Sequence, residues 1–108
     1  MTTTHFIHPG IILREEFFEP LGITQLAAAK ALGIPQSRLS DILAGHRGIT
    51  AETAVRLGKF FNVDPGNFIN LQAHYDLALA KAEFAHSRPR PKIVSYTRVA
   101  RTPDPIPA

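Results

Sequence analysis

The sequence predicts an all-α domain of five helices, followed by an extended, proline-rich basic tail. Apolar residues recur at intervals of three and four through the first 86 residues, which is the spacing of amphipathic helices. Glycines, prolines and capping residues interrupt this spacing at four places and so divide it into five helices. Five prolines after Ser87 exclude a further long helix. We therefore divide the 108 residues into a helical domain, 1–86, and a tail, 87–108.

The first two helices are defined by the residues at their ends. Helix 1 is predicted over Pro9–Glu19, because a proline suits the first turn of a helix and Pro20 with Gly22 would stop it. Thr24 is a good cap for helix 2, which is predicted over Gln25–Leu32. The apolar face of helix 2 is predicted to consist of Leu26, Ala27, Ala31 and Leu32.

A very short turn, Gly33–Pro35, separates helix 2 from helix 3, which is predicted over Gln36–Ala44. Leu39, Ile42 and Leu43 follow helical spacing and should point inward. Two short helices joined by so tight a turn must cross steeply, and the small residues of helix 2 let them approach each other. The pattern is that of a helix-turn-helix.

The last two helices begin at clear caps. Thr50 caps helix 4, predicted over Ala51–Phe61, and Asp64 with Pro65 begins helix 5, which should run to about Ala85. The apolar stripe of helix 5 is longer than a core of this size needs. We expect part of it to cover the core and the rest to bind a second copy, which would give a symmetric dimer. The residues predicted at this dimer interface are Phe68, Leu71, Tyr75 and Leu79.

The tail is the most basic part of the chain. Residues 87–108 carry five basic groups against one acidic group, whereas residues 1–86 carry seven against eight. The segment Lys92–Ala100 contains no proline and is rich in β-branched residues, so it is suited to form a strand on the edge of a partner. A solvated tail that attracts DNA through its charge is the alternative. The residues leave both interpretations open.

The second helix of a helix-turn-helix presents its N-terminal side chains to the bases of DNA. Gln can bond adenine, Ser can bond either kind of partner, and Asp can accept from the cytosine amino group. The residues predicted to read bases are therefore Gln36, Ser37, Ser40 and Asp41. Residues 24–61 hold five Lys or Arg against two Asp or Glu, a balance that favours contact with phosphate. Phosphate contacts are predicted for Gln25, Arg38, Arg47 and Arg56.

Other classes of function are not indicated. The five histidines show no pair at the i, i+4 spacing, and His5 with His8 alone would make a weak metal site. The sequence has no glycine-rich phosphate loop or nucleophile motif, so we expect neither an enzyme nor a cofactor. No apolar run is long enough to span a membrane, and the N-terminus lacks the parts of a secretory signal. With no cysteine in the chain, we expect a cytoplasmic protein.

Six short motifs stand out between His8 and about Ala80. They are His8-Pro9-Gly10, Leu13–Phe17, Pro20-Leu21-Gly22, Arg47–Ala51, Asn70-Leu71-Gln72 and Tyr75-Asp76-Leu77. Together they resemble the HigA/VapI-type antitoxins, within the Cro- and lambda-repressor-like (XRE) class of helix-turn-helix proteins. The resemblance implies a dimeric antitoxin that binds operator DNA, represses its own operon and neutralises a messenger-RNA-cleaving toxin of the HigB/RelE kind. By matched position, it places base reading on Gln36–Asp41 and backbone contacts near Gln25, Arg38 and Arg47.

Three interpretations of function remain open at this point. The first is an antitoxin that also represses its own operon, and the second is a stand-alone XRE-type transcriptional repressor without a toxin partner. The third is a protein-interaction module in which the helix-turn-helix is only a scaffold. A small toxin gene beside this one would separate the first interpretation from the second.

Overall fold

The computed structural model describes residues 7–86 and 92–99. Helix α1 runs through three consecutive segments, α-helical Pro9–Leu13, π-helical Arg14–Phe18 and α-helical Glu19–Leu21. The other four long helices are α2 (Gln25–Leu32), α3 (Gln36–Leu43), α4 (Ala51–Phe61) and α5 (Gly66–His86). The predicted five-helix, all-α class is confirmed, and residues 7–86 and 92–99 contain no strand.

Helix α1 is longer than predicted because Pro20 does not end it. Over Arg14–Phe18 the turns widen, and the N–H of Glu19 donates to the carbonyl of Arg14, five residues earlier. A wider turn relieves the clash that a proline ring makes with the carbonyl four residues before it. The helix ends at Gly22 instead, which adopts a left-handed φ of 65°.

The turn between α2 and α3 is as tight as the sequence predicts. Gly33 takes a left-handed φ of 75°, and its N–H donates to the carbonyl of Ala29 at 2.9 Å, which closes the end of α2. The next residue, Ile34, is buried beneath the turn. Three predicted inward residues of α3, Leu39, Ile42 and Leu43, are buried as expected.

The buried face of α2 differs from the predicted one. Leu26 is 53% exposed, and Ala27 is also exposed, whereas Ala28 and Ala29 are buried with Leu32. Two alanines on the inward side let the neighbouring helices approach more closely than larger residues would. The predicted α2 face is therefore wrong except for Leu32, because close packing selected small residues over the larger Leu26.

A single hydrophobic core joins the five helices. Its largest buried side chains include Leu13, Leu39, Ile42, Leu43, Leu57 and Phe68. At one end of this core, the ring of Phe17 lies 4.9 Å from that of Phe61 and 5.7 Å from that of Phe68. Such tilted pairs contribute about 0.5–1.5 kcal/mol each beyond the area they bury. Helix α1 is thereby fixed to both α4 and α5.

Helix α5 begins where the sequence predicts and extends to His86. The N–H of Gly66 donates to Oδ1 of Asp64 at 2.9 Å, so Asp64 caps the helix. With 21 residues, α5 is about 31 Å long. Its first half packs on α1 and α4, where Phe68 is buried. The second half extends past these helices and carries exposed apolar side chains.

The tail is described only in part. Residues 92–95 have no regular structure, and Tyr96–Val99 form one short helical turn where the sequence analysis favours extended chain. The hydroxyls of Ser95 and Thr97 lie 2.9 Å apart and form a hydrogen bond. A local bond of this kind favours a turn at the start of the short helix. The remaining tail residues, 87–91 and 100–108, lie outside the described residues.

At the other end of the chain, the imidazole of His8 caps α1. Its Nδ1 accepts a hydrogen bond from the N–H of Gly10 at 2.8 Å, and its ring stands edge-on to Tyr75 with centroids 5.0 Å apart. Burial lowers the pKa of His8; the carboxylate of Asp76 opposes this shift and His46 adds to it. The folded protein therefore holds His8 neutral to a lower pH than the unfolded chain does.

We expect the free energy of unfolding to fall as the pH drops below about 6.5, because His8 of the unfolded chain then binds a proton more readily than the folded one. The stability that neutral His8 contributes is fully present above that pH, and it is lost as the pH falls through the lowered pKa of the folded protein. Urea unfolding at pH 7.5 and pH 5.5 measures it. His8→Asn is the control, since asparagine also caps helices but does not titrate. Equal losses in both proteins would contradict this role of His8.

Candidate DNA interface

The outer face of α3 carries most of the residues predicted to read bases. Gln36, Ser37 and Ser40 are exposed, and Asp41 is half-buried at the edge of this face. The opposite side of α3 is anchored in the core by its buried apolar residues. Nothing from the described residues covers Gln36, Ser37 or Ser40, and these side chains offer hydrogen-bond donors and acceptors. The arrangement presents a polar edge of a rigid helix to solvent.

Arg38 connects the first turn of α3 to the first turn of α4. Its Nη1 lies 3.6 Å from Oε1 of Glu52, and the side chain remains about one third exposed. Glu52 shares its other carboxylate oxygen with Arg56, at 2.9 Å. An exposed pair at this distance is weak, so the guanidinium of Arg38 can turn toward a phosphate at little cost.

Arg56 has a structural role that the sequence analysis did not predict. Its Nη1 donates to the carbonyl of Leu32 at 2.8 Å, while Nε and Nη2 donate to Glu52 at 3.1 and 2.9 Å. The guanidinium thus caps the C-terminal end of α2, where a positive charge is favourable. A Cβ at position 33 would lie 2.9 Å from Nη1, so Gly33 also makes room for this cap. These contacts use three of the five N–H donors of Arg56, and the side chain stays 39% exposed, so its phosphate contact stays a prediction.

The C-terminal end of α3 is held by α1. Nη1 of Arg14 donates to the carbonyl of Leu43 at 3.3 Å. Gly10 lies against the same helix, and a Cβ at that position would overlap the carbonyl of Ile42, with 2.7 Å to the carbonyl carbon. Both contacts fix the axis of α3 relative to α1. The sequence analysis named these residues within motifs and gave them no role in positioning α3.

The loop between α3 and α4 carries Arg47, which is exposed and forms no ion pair with a described carboxylate. Its C-terminal part is fixed by α5: Oε1 of Gln72 accepts from the N–H of Ile49 at 2.7 Å. Gln25, the remaining predicted phosphate contact, is half-buried at the first turn of α2, next to the cap Thr24. Arg47 is thus held on a short, anchored loop directly after the proposed reading helix.

The four residues of α5 that are predicted at the dimer interface differ in how deeply they are buried within their own chain. Phe68 is 1% exposed and belongs to the core of its own chain, which corrects its place in the predicted dimer interface. Tyr75 packs on His8, and Leu71 and Leu79 are half-buried. The second half of α5 instead exposes two large apolar side chains, Leu77 and Phe84, each to 54%. Leu77 is two residues from both Tyr75 and Leu79 and is therefore rotated by about 200° from them, onto the opposite side of the helix.

Within residues 7–86 and 92–99, no three His, Cys, Asp or Glu side chains converge as metal ligands. None of the helices described there combines the length and the apolar character that crossing a membrane requires.

Gln72 is the main functional candidate to which the sequence analysis gave no role, although it named the residue within the motif Asn70-Leu71-Gln72. The signal was its position beside the apolar stripe of α5, four residues after Phe68 and four before Asp76. A polar residue next to such a stripe often bonds a neighbouring backbone group. Its partner, Ile49, lies 23 residues away in the sequence, so no local pattern identified it.

Comparisons with known proteins agree with this geometry. A helix-turn-helix family model matches residues 15–68. Virulence-associated protein I of Dichelobacter nodosus is 47% identical over 77 residues, which are 71% of each chain. Antitoxin HigA-1 of Vibrio cholerae is 32% identical over 95 residues, 86% of this chain and 90% of the relative. The solved structure of the Pseudomonas aeruginosa antitoxin HigA with the higBA promoter has a TM-score of 0.70 at 38% identity, and covers 80% of this chain and 98% of that one.

Proposed function

The chain belongs to the helix-turn-helix family as a DNA-binding, HigA-type antitoxin-like protein, and from that premise we propose that it represses its own operon and neutralises a partner toxin. The toxin would be of the HigB/RelE kind, and both proteins would act in the cytoplasm. The observation that carries the DNA-binding part is the exposed polar face of α3, whose position is fixed by α1 and α2.

We propose that Gln36, Ser37, Ser40 and Asp41 read base edges in the major groove. Their support is that the first three are exposed on one side of α3 and that Asp41 borders this side. Phosphate contacts are proposed for Gln25, Arg38 and Arg47, which lie on three different elements: α2, α3 and the loop after it. Such contacts set the register of the protein on DNA without reading the sequence.

We further propose that the chain is a homodimer through α5. Because Phe68 and Tyr75 are engaged within their own chain, the larger uncovered apolar area lies on the side of Leu77 and Phe84. Together with Ala80 and Lys81, these two residues line a shallow groove of about 310 Å³. Exposed apolar patches of this kind are typical of protein interfaces.

Leu77→Glu should convert the dimer to a monomer, because it places a charge in the centre of the proposed interface. Leu79→Glu is the matched control, since it makes the same change on the opposite side of α5. Light scattering on both purified variants measures the result. If only Leu79→Glu produced a monomer, the dimer interface would lie on the side of α5 predicted from the sequence, with Leu71, Tyr75 and Leu79.

Purification of the tagged protein, expressed from its native operon, tests the proposed function as a whole. We expect a second small chain at equal stoichiometry and retention of the complex on promoter DNA of the same operon. Retention on DNA without a second chain would favour the stand-alone repressor. Loss of both the second chain and DNA retention would leave the helix-turn-helix as a scaffold for some other protein.

A further inference from the structure

We propose that Gln72 is a positioning residue for DNA binding, which fixes the loop after α3 so that Arg47 meets the phosphate backbone. The inference rests on the proposed phosphate contact of Arg47 and adds to it a residue of α5, a helix outside the proposed DNA contacts. Its starting point is the 2.7 Å hydrogen bond from the N–H of Ile49 to Oε1 of Gln72. This bond joins the Arg47 loop directly to α5.

The side-chain amide of Gln72 is fixed in one orientation by its two partners. The backbone N–H of Ile49 can only donate, so the amide oxygen must face it. On the other side, Nε2 donates to Oδ1 of Asp76 at 3.0 Å, and an ionised carboxylate can only accept. Asp76 therefore holds the amide so that its oxygen points toward the loop.

The loop is held at two points close to Arg47. The side chain of Ile49 is buried in the core, while its N–H is bonded to Gln72. Gly48 packs on the same amide, because a Cβ at that position would lie 3.2 Å from both the oxygen and the nitrogen of Gln72. The backbone beside Arg47 is thus held in place before DNA binds. Because the loop is already ordered, less conformational entropy is lost on binding.

The test is a double-mutant cycle on affinity for promoter DNA of the chain's own operon. We expect Gln72→Ala to weaken binding about tenfold, equivalent to ~1.4 kcal/mol, although Gln72 is not among the proposed DNA contacts. If Gln72 acts through Arg47, the same change should have almost no effect in an Arg47→Ala background. The slope of log affinity against log salt should also fall by about 0.9 in each single variant, since each loses one phosphate contact. Asn70→Ala, exposed on the same helix, should leave both quantities unchanged.

An exchange of the hydrogen-bonding pair tests the bond itself. In the double variant Gln72→Glu with Asp76→Asn, the carboxylate at position 72 accepts from Ile49 and from the new amide at position 76. The exchange leaves the net charge unchanged. In contrast to Gln72→Ala, this double variant should bind DNA within about threefold of the wild-type affinity, or ~0.7 kcal/mol.

If Arg47→Ala leaves affinity unchanged, the proposed phosphate contact is wrong, and the inference falls with it. If Arg47→Ala weakens binding but Gln72→Ala does not, or if the two losses simply add, Gln72 does not position Arg47. Failure of the exchanged pair to recover affinity would also overturn the inference.

Discussion

Replacement of Gly10 by alanine should lower the free energy of unfolding by about 3 kcal/mol, a large share of the stability of a small domain. The new Cβ would overlap the carbonyl oxygen of Ile42 in α3 and would also lie 3.1 Å from Nδ1 of His8. The obstacle on the α3 side is backbone, which cannot rotate away as a side chain can, so α1 must move off α3. Urea unfolding, followed by circular dichroism, measures the loss.

Gly22→Ala is the matched control for this substitution. Gly22 has a left-handed φ of 65°, but a Cβ built there would meet no atom of the packed chain within 4 Å beyond its immediate neighbours. Alanine at this position should therefore cost only the conformational penalty, about 1 kcal/mol. Equal losses in the two variants would show that the close approach of α1 and α3 has no special energetic weight.

The double variant Gln36→Ala with Ser40→Ala should lower affinity for the promoter of the chain's own operon at least about tenfold, because a good base contact contributes about 1–3 kcal/mol of discrimination. Both side chains are exposed on α3, so the fold and its stability should change little. Affinity for scrambled DNA of equal length should stay the same, since that binding depends on phosphate contacts. Fluorescence anisotropy with both DNA fragments at one salt concentration measures the ratio.

Arg47→Ala provides the contrast to the base-reading variant. A lost phosphate contact should weaken binding to the promoter and to scrambled DNA by similar factors, and should lower the salt dependence of both. If Gln36→Ala with Ser40→Ala weakened both DNA fragments equally, these residues would not read bases. The two variants together therefore separate recognition of sequence from recognition of charge.

Residues that act locally made most of the fold predictable from sequence. The first residues of α3 and α4 follow from the Gly33–Pro35 turn and from the cap Thr50, and Asp64 caps α5 as expected. These signals depend on neighbouring residues, and the backbone conformations they require are nearly independent of the rest of the chain. The order of the helices and the inward face of α3 could be predicted for the same reason.

Long-range packing decided the features that the sequence did not predict. Helical spacing cannot tell that Ala28 and Ala29, rather than Leu26, face the core, because that choice depends on how closely α2 is approached by its neighbours. The role of Arg56 depends on a carbonyl 24 residues away, at Leu32. In the candidate site, the polar face of α3 was predictable from its spacing, whereas the contact between Gln72 and Ile49 required the three-dimensional fold.

Binding of the wild-type chain to the promoter of its own operon tests the central claim most directly. The measurement is a titration of the purified protein against that promoter fragment and against a scrambled fragment of the same length, at one physiological salt concentration. A sequence-specific repressor should bind the promoter at least about a thousandfold more tightly than the scrambled fragment. Equal affinity for the two fragments would contradict the proposal that α3 reads a DNA sequence.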